Sequence, residues 1–237
     1  TLQAVHRAVE SFTCPVILIA GGRGKGLDYR ELDRHRHVRT VVCYGEEGPR
    51  IAEALAQEIT IEPTITQTPA HIEFNGDENV AFLSIEENGY AHLFIIQPQG
   101  LPLTRITTGK WNDIAPTLSP DRTQLAFASD RSGFWDLYTM DLQTGEVTQI
   151  TDSPEYDSAP SWSPDGQWLV YETYLNENLE ISVVSVNDRT AEIIPLTQNA
   201  ASDHSPVWAP DGRHVAFIST RGGDSDVWLA SLDLAGD

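Results

Sequence analysis

The sequence predicts a mainly β chain: a β-propeller of about four blades, or part of a six-bladed one, preceded by a small partial α/β segment built on parallel strands. Three observations carry this. A unit marked by Pro116, Pro160 and Pro206, spaced 44 and 46 residues apart, recurs through the second half, and that period is the length of one four-stranded blade. Each unit breaks into short runs of alternating apolar and polar residues bounded by turn residues. The first 58 residues share neither the repeat nor its charge, holding eight Lys/Arg against eight Asp/Glu, whereas residues 59–237 hold seven against 27. A seam near Ile59 therefore separates segment 1–58 from a propeller over 59–237.

Taken in order, residues 1–58 read as a helix (Thr1 to Ser11), a strand (Val16 to Ala20), a glycine turn, a helix (Asp28 to His37), a strand (Thr40 to Tyr44) and a helix (Pro49 to Gln57). Strands alternating with helices imply parallel pairing, and the unbroken apolar run Val16 to Ala20 suits a strand covered on both faces. The turn "GGRGKG" sets backbone N–H groups and Lys25 beside a helix N-terminus, an arrangement that favours an anion. It is not a P-loop, because Ile19 stands where the first glycine belongs and Gly26, not Ser or Thr, follows Lys25. Cys14 and Cys43 read as small buried thiols.

The repeats follow. Blade units are expected at about 70–105, 106–149, 150–195 and 196–237. In the last three, a first strand (Ile114 to Leu118, Ser158 to Trp162, His204 to Trp208) runs into a Pro-Asp turn in which Pro120, Pro164 or Pro210 fixes φ. Next come "QLAFAS", "WLVYET" or "HVAFIS", then an alternating third strand, and the outer strand ends at Ile-Thr or Leu-Thr. The 70–105 unit is a worn copy with "NGDEN" as its turn. The last unit stops after its third strand, and residues 59–67 are expected to supply the fourth, closing the ring and removing its exposed edges. Trp135, Trp162, Trp208 and Trp228 are expected to fill space between blades, Asp121, Asp165 and Asp211 to serve turns, and "GGDSD" at 222–226 to be a hairpin turn.

The net charge of −20 lies entirely in residues 59–237, where it repels phosphate backbones and argues against nucleic acid as a partner. No apolar run approaches the roughly 20 residues of a membrane span. No zinc-like Cys/His spacing occurs, so no metal site is expected.

With three copies of a Pro-Asp turn ("SPDR", "SPDG", "APDG") and of the strand end that follows it ("FAS", "YET", "FIS"), residues 59–237 resemble the WD-type repeats of the TolB family and of the propeller domains attached to prolyl peptidases and the tricorn protease. That resemblance implies a fold used to bind proteins, peptides or ligands. The peptidase relatives work through a separate catalytic domain, and no G-x-S-x-G elbow is present here. In the first segment, "TLQAVHRAVESF", "CPVILIAGGRGKGLDYREL" and "VRTVVCYGEEGPRIAEAL" resemble the opening of the C-terminal domain of the Mur ligases, most of all those adding D-glutamate in peptidoglycan synthesis. The resemblance assigns Lys25 to the carboxylate of the incoming amino acid, with Gly21 and Gly22 shaping the turn. The family's ATP-binding domain, phosphate loop and magnesium ligands have no counterpart here, so ATP and magnesium enter only if a separate ligase half supplies them.

The sequence thus leads to a non-catalytic binding or scaffold protein with a protein or peptide partner, no cofactor, and self-association as one route to a complete ring. The alternative is the C-terminal part of a split or fused ligase that adds D-glutamate to UDP-N-acetylmuramoyl-alanine. Candidate ligand residues on the propeller are those ahead of the first strands, at the rim of the axial channel: Trp111, Asp113, Tyr156, Asp157, Asp203 and His204. With no recognisable export signal at its start, the chain is expected in the cytoplasm, the periplasm being the alternative given by the TolB resemblance.

Overall fold

The computed structural model describes residues 16–21, 38–44, 60–61, 71–75, 80–96, 104–188, 190 and 192–232. The chain divides into two compact units, Thr1–Thr108 and Gly109–Asp237, so the change of composition near Ile59 falls inside the first of them.

In the first unit, β1 (Val16–Gly21), β2 (Val38–Tyr44) and β3 (Thr60–Ile61) form a three-stranded sheet in that order. Its pairing is parallel, with Leu18 opposite Val41, Gly21 opposite Tyr44 and Thr40 opposite Thr60, as the apolar strands imply. The helices expected at Thr1 to Ser11, Asp28 to His37 and Pro49 to Gln57 lie outside the described residues. Thr60–Ile61, in the segment expected to close the last blade, pair with β2, and residues 59 and 62–67 lie outside the described set. The same unit holds an antiparallel sheet of β4 (His71–Asn75), β5 (Val80–Glu87), β6 (Tyr90–Ile96) and β7 (Thr104–Arg105). Its interior includes Ala81, Leu83, Leu93 and Ile96, each fully buried.

The second unit contains three antiparallel meanders. The first is β8 (Asp113–Leu118), β9 (Gln124–Ser129), β10 (Asp136–Asp141) and β11 (Val147–Gln149). The second is β12 (Asp157–Trp162), β13 (Trp168–Leu175), β14 (Asn178–Ser185) and β15 (Ile194–Pro195). The third is β16 (Asp203–Trp208), β17 (His214–Ser219) and β18 (Asp226–Ser231). Strand alternation sends successive side chains of the second sheet to opposite neighbours. Leu169, Tyr171 and Val184 join Ala126, Ala128, Leu137 and Trp162 against the first sheet. Val170, Ile181 and Val183 join Trp208, Val215 and Phe217 against the third. Each buried aliphatic side chain contributes about 1.5–3 kcal/mol, so these two interfaces hold the unit together.

Three devices repeat. The Pro-Asp turns close through Arg122, Gly166 and Gly212 N–H donating to the carbonyls of Ser119, Ser163 and Ala209, at 2.9, 2.9 and 3.0 Å. The turn aspartates serve the backbone as expected: Asp121 accepts from the Ser119 hydroxyl at 2.6 Å and Asp211 from Arg213 N–H at 2.9 Å. Each first strand of the second unit carries a register shift at a residue in the left-handed region just before the repeat proline: Ala115 (φ 51), Ala159 (φ 49) and Ser205 (φ 53). Finally, a threonine hydroxyl accepts from the third strand: Leu93 N–H donates to Thr107 at 2.9 Å, Leu137 N–H to Thr151 at 2.9 Å and Ile181 N–H to Thr197 at 2.8 Å. These are the Ile-Thr and Leu-Thr pairs at which each outer strand ends in the sequence.

Among the described residues β18 has no fourth strand beside it, and Val227 and Leu229 are 79% and 64% exposed. Trp228, expected to fill space between blades, is 39% exposed, whereas Trp162 and Trp208 are buried.

Candidate functional site

The antiparallel path of each sheet in the second unit brings three kinds of segment to one end: the start of the first strand, the loop between second and third strands, and the stretch leading in from the preceding sheet. All six rim candidates lie at this end. Trp111 precedes β8, Tyr156 precedes β12, and Asp113, Asp157 and Asp203 are the first residues of β8, β12 and β16, with His204 next to Asp203. Gly21 ends β1, while Gly22 and Lys25 lie outside the described residues.

The three aspartates are buried, at 0%, 1% and 0% exposure. A buried carboxylate persists only when paired or protonated. The first and third sheets pair theirs. Arg131 Nη2 donates to Asp113 Oδ1 at 2.7 Å and its Nε to the Ser129 hydroxyl at 3.0 Å. Arg221 Nη2 donates to Asp203 Oδ2 at 2.6 Å and its Nε to the Ser219 hydroxyl at 2.8 Å. Both guanidinium groups lie over aromatic faces: Arg131 is 5.3, 5.3 and 4.8 Å from the ring centres of Trp111, Phe127 and Tyr138. Arg221 is 5.3 and 4.7 Å from those of Phe217 and Trp228. Trp111 is pressed against Gly109, where a Cβ atom would come within 2.3 Å of the indole, so a glycine is required there.

The second sheet is built differently. Where the first has Ser129-Asp130-Arg131 and the third Ser219-Thr220-Arg221, it has Thr173-Tyr174-Leu175. β13 and β14 run on through this stretch, pairing up to Leu175 opposite Asn178, and turn through Asn176 and Glu177, both at positive φ (51° and 74°). Asp157 therefore has no arginine. It accepts from the Ser153 hydroxyl at 3.3 Å, and Oδ1 is buried without a hydrogen-bond partner. Burial pushes its carboxyl above the usual aspartate range, and the negative charge of Asp136 adds to this, against hydrogen bonds from Thr173, Thr151 and Ser153.

Around these acids the face is aromatic. Trp135 meets Tyr156 edge-on with ring centres 5.9 Å apart, and Tyr174 N–H donates to Tyr156 O at 2.9 Å. Phe134 and Tyr174 are 55% and 50% exposed. Sequence reasoning passed over both, along with Arg131, Arg221 and Leu175. The signal available was the contrast of "SDR" and "STR" with "TYL" at one repeat position. Among the described residues no group of three His, Cys, Asp or Glu is arranged to hold a metal ion.

The TolB beta propeller domain family model matches residues 51–233. Among solved structures, the chain is similar to TolB from Agrobacterium tumefaciens, with 22% identity, a TM-score of 0.59, and coverage of 76% of this chain and 68% of that one. It is also similar to TolB from Acinetobacter baumannii, with 18% identity, a TM-score of 0.56 and coverage of 95% and 71%. An oligogalacturonate lyase in complex with manganese has a TM-score of 0.57 at 19% identity, over 71% of this chain and 50% of that one. At such identities the likeness is one of fold. Among curated proteins, the UDP-N-acetylmuramoylalanine–D-glutamate ligase of Salinibacter ruber is 40% identical over 75 residues, covering 28% of this chain and 16% of the ligase. That of Aromatoleum aromaticum is 48% identical over 54 residues, 22% of this chain and 12% of the ligase. The chain thus spans only a small fraction of the ligases it matches.

Proposed function

The chain belongs to the TolB β-propeller domain family, and from that premise we propose that it is a binding protein whose partner, a protein or peptide, docks on the first-strand end of the Gly109–Asp237 unit. The observation that carries this is the pair of half-exposed aromatics, Phe134 and Tyr174, set at the same end as Trp111, Tyr156 and His204, above three buried aspartates. Large aromatic side chains exposed beside a rigid, hydrogen-bonded base are the anchors protein interfaces use. The proposed role needs no cofactor. Photo-crosslinking residues placed at 134, 174 and, at the opposite end of the strands, 143 test it. Crosslinks to the same partner from 134 and 174 but not from 143 are expected, that from 134 being lost in Tyr174→Glu and that from 174 in Phe134→Glu. Equal crosslinking from all three positions would overturn the assignment.

A second reading, that the first part of the chain serves a ligase adding D-glutamate to UDP-N-acetylmuramoyl-alanine, is favoured by the likeness of that part to the curated ligases. Such chemistry requires ATP and magnesium from a separate ligase half. Phosphate release from ATP in the presence of both substrates and extract of the source cell, abolished by Lys25→Ala, is the outcome that supports it. Release indifferent to Lys25 ends it.

A further inference from the structure

Resting on that reading of the first-strand end, we propose that its middle sector takes a basic side chain of the partner, an arginine in preference to a lysine, in the role that Arg131 and Arg221 play in the flanking sheets. The molecule supplies its own template. In the first and third sheets a buried aspartate heads the first strand, a guanidinium bonds it at 2.7 or 2.6 Å, and aromatic rings cover the guanidinium. In the second sheet the aspartate is kept and the arginine is replaced by Leu175, so Asp157, at 1% residue exposure, has hydroxyl partners and no cation.

The charge pattern agrees with the geometry. From Ser132 to Asp188 the chain carries eleven Asp/Glu and no Lys, Arg or His, so nothing within this stretch can neutralise Asp157. The groups that act on it are an acid, Asp136 on β10, a phenol, Tyr171 on β13, and the hydroxyls of Thr151, Ser153 and Thr173, none of them a cation. On either side, Asp113 and Asp203 are already held by their arginines. A buried charge surrounded by low-dielectric protein projects its field toward the nearest solvent-facing gap instead of being screened. At the same strand ends lie Tyr156 and the half-exposed Tyr174, tied together through their backbones, with Trp135 against Tyr156. Aromatic rings beside a carboxylate that has no cation of its own suit a cationic side chain. A planar guanidinium stacks on tyrosine and bonds carboxylate better than an ammonium does, which sets the preference for arginine.

The probes are a blocked glycine-rich peptide with one arginine and the same peptide with citrulline, which keeps the shape and removes the charge. Binding is measured at about 0.15 M salt by amide chemical-shift titration of the full chain. The arginine peptide is expected to bind about tenfold more tightly than the citrulline peptide. Leu175→Arg, which fills the position from inside, should erase that preference. Gln143→Arg adds the same charge on the exposed β10–β11 turn at the far end and should change affinity less than about twofold. Equal weakening by the two substitutions, or no preference for arginine over citrulline, overturns the proposal. If Leu175→Arg does not fold, near-isosteric Asp157→Asn takes its place, with loss of most of the preference expected and an unchanged preference overturning the proposal. A citrulline peptide that still shifts the Tyr156 and Tyr174 amides with equal affinity sinks the basic-residue proposal and leaves the docking face standing. Silence from both peptides at those amides counts against both.

Discussion

The first and second sheets of the Gly109–Asp237 unit share one awkward feature, an aspartate buried at the head of the first strand, and handle it in opposite ways. In the first sheet the second strand ends early, and a six-residue stretch (130–135) brings Arg131 back over Asp113. In the second the hairpin is two residues longer on each strand, the loop is reduced to Asn176-Glu177, and the position of the arginine becomes Leu175 in continuous β-structure. Extending a hairpin is thus enough to strip a buried acid of its partner. The lesson is that repeat symmetry is broken at loops, and charge balance is broken with it.

Copying the second arrangement into the first sets the outer bound of that contrast. Arg131→Leu leaves Asp113 in the interior and removes contacts to three rings, and a loss of about 3 kcal/mol in urea unfolding is expected. A loss under about 0.5 kcal/mol would mean that the ion pair does not brace the first sheet.

The two interfaces of the second sheet give a finer comparison. Trp162 Nε1 donates to Thr117 O of the first sheet at 3.1 Å, and a Cβ on Gly166 would sit in van der Waals contact with Pro120 Cδ at 3.8 Å. Toward the third sheet, Trp208 Nε1 has no partner, a Cβ on Gly212 would meet nothing within 4 Å, and a groove of about 1020 Å³ opens between the Pro164 and Pro210 turns. Removing both indoles separates hydrogen bonding from bulk. Trp162→Phe is expected to cost about 1–2 kcal/mol more than Trp208→Phe, because only the former strands a carbonyl. Equal costs by thermal unfolding would show the hydrogen bond to be idle.

Asp157→Asn reads the missing arginine from the other side. The folded-state pKa of Asp157 is raised, so its favourable contribution is fully present below the unfolded value of about 3.9 and is lost as pH rises through the folded value. The substitution should therefore stabilise by on the order of 1 kcal/mol at neutral pH and leave stability unchanged near pH 3. A gain of equal size at both pH values would assign the effect to something other than ionisation. Smallest is the hairpin tip: Glu177 sits at φ 74°, and Glu177→Gly should raise stability by about 0.5–1 kcal/mol in the same unfolding measurement, because a glycine after Asn176 completes the preferred tight-turn pair.

Much of this architecture was legible before any coordinates. The Pro-Asp turns, the alternation of "QLAFAS" and "HVAFIS" and the terminal Ile-Thr pairs are local chemistry, and the turns, strands and threonine bonds that follow from them are local structure. The rim candidates came out at one end of the sheets because a four-strand meander fixes which residues share an end. What the sequence hid was longer-range. Arg131 finds Asp113 eighteen residues away, a distance no pattern of period 2 reports. Trp228 has the residue type of a filler, yet it is 39% exposed, with Arg221 over its ring. The residues that would test Lys25 lie outside the description.

The threonine clasps carry one more consequence. Each joins residues only 14 to 16 positions apart and completes its own sheet without help from any other. Closure that is settled within a single sheet makes the sheet the natural quantum of inheritance: whole blades, cut just after their Ile-Thr or Leu-Thr pair, can be duplicated or deleted in the gene without unpicking the ones that remain.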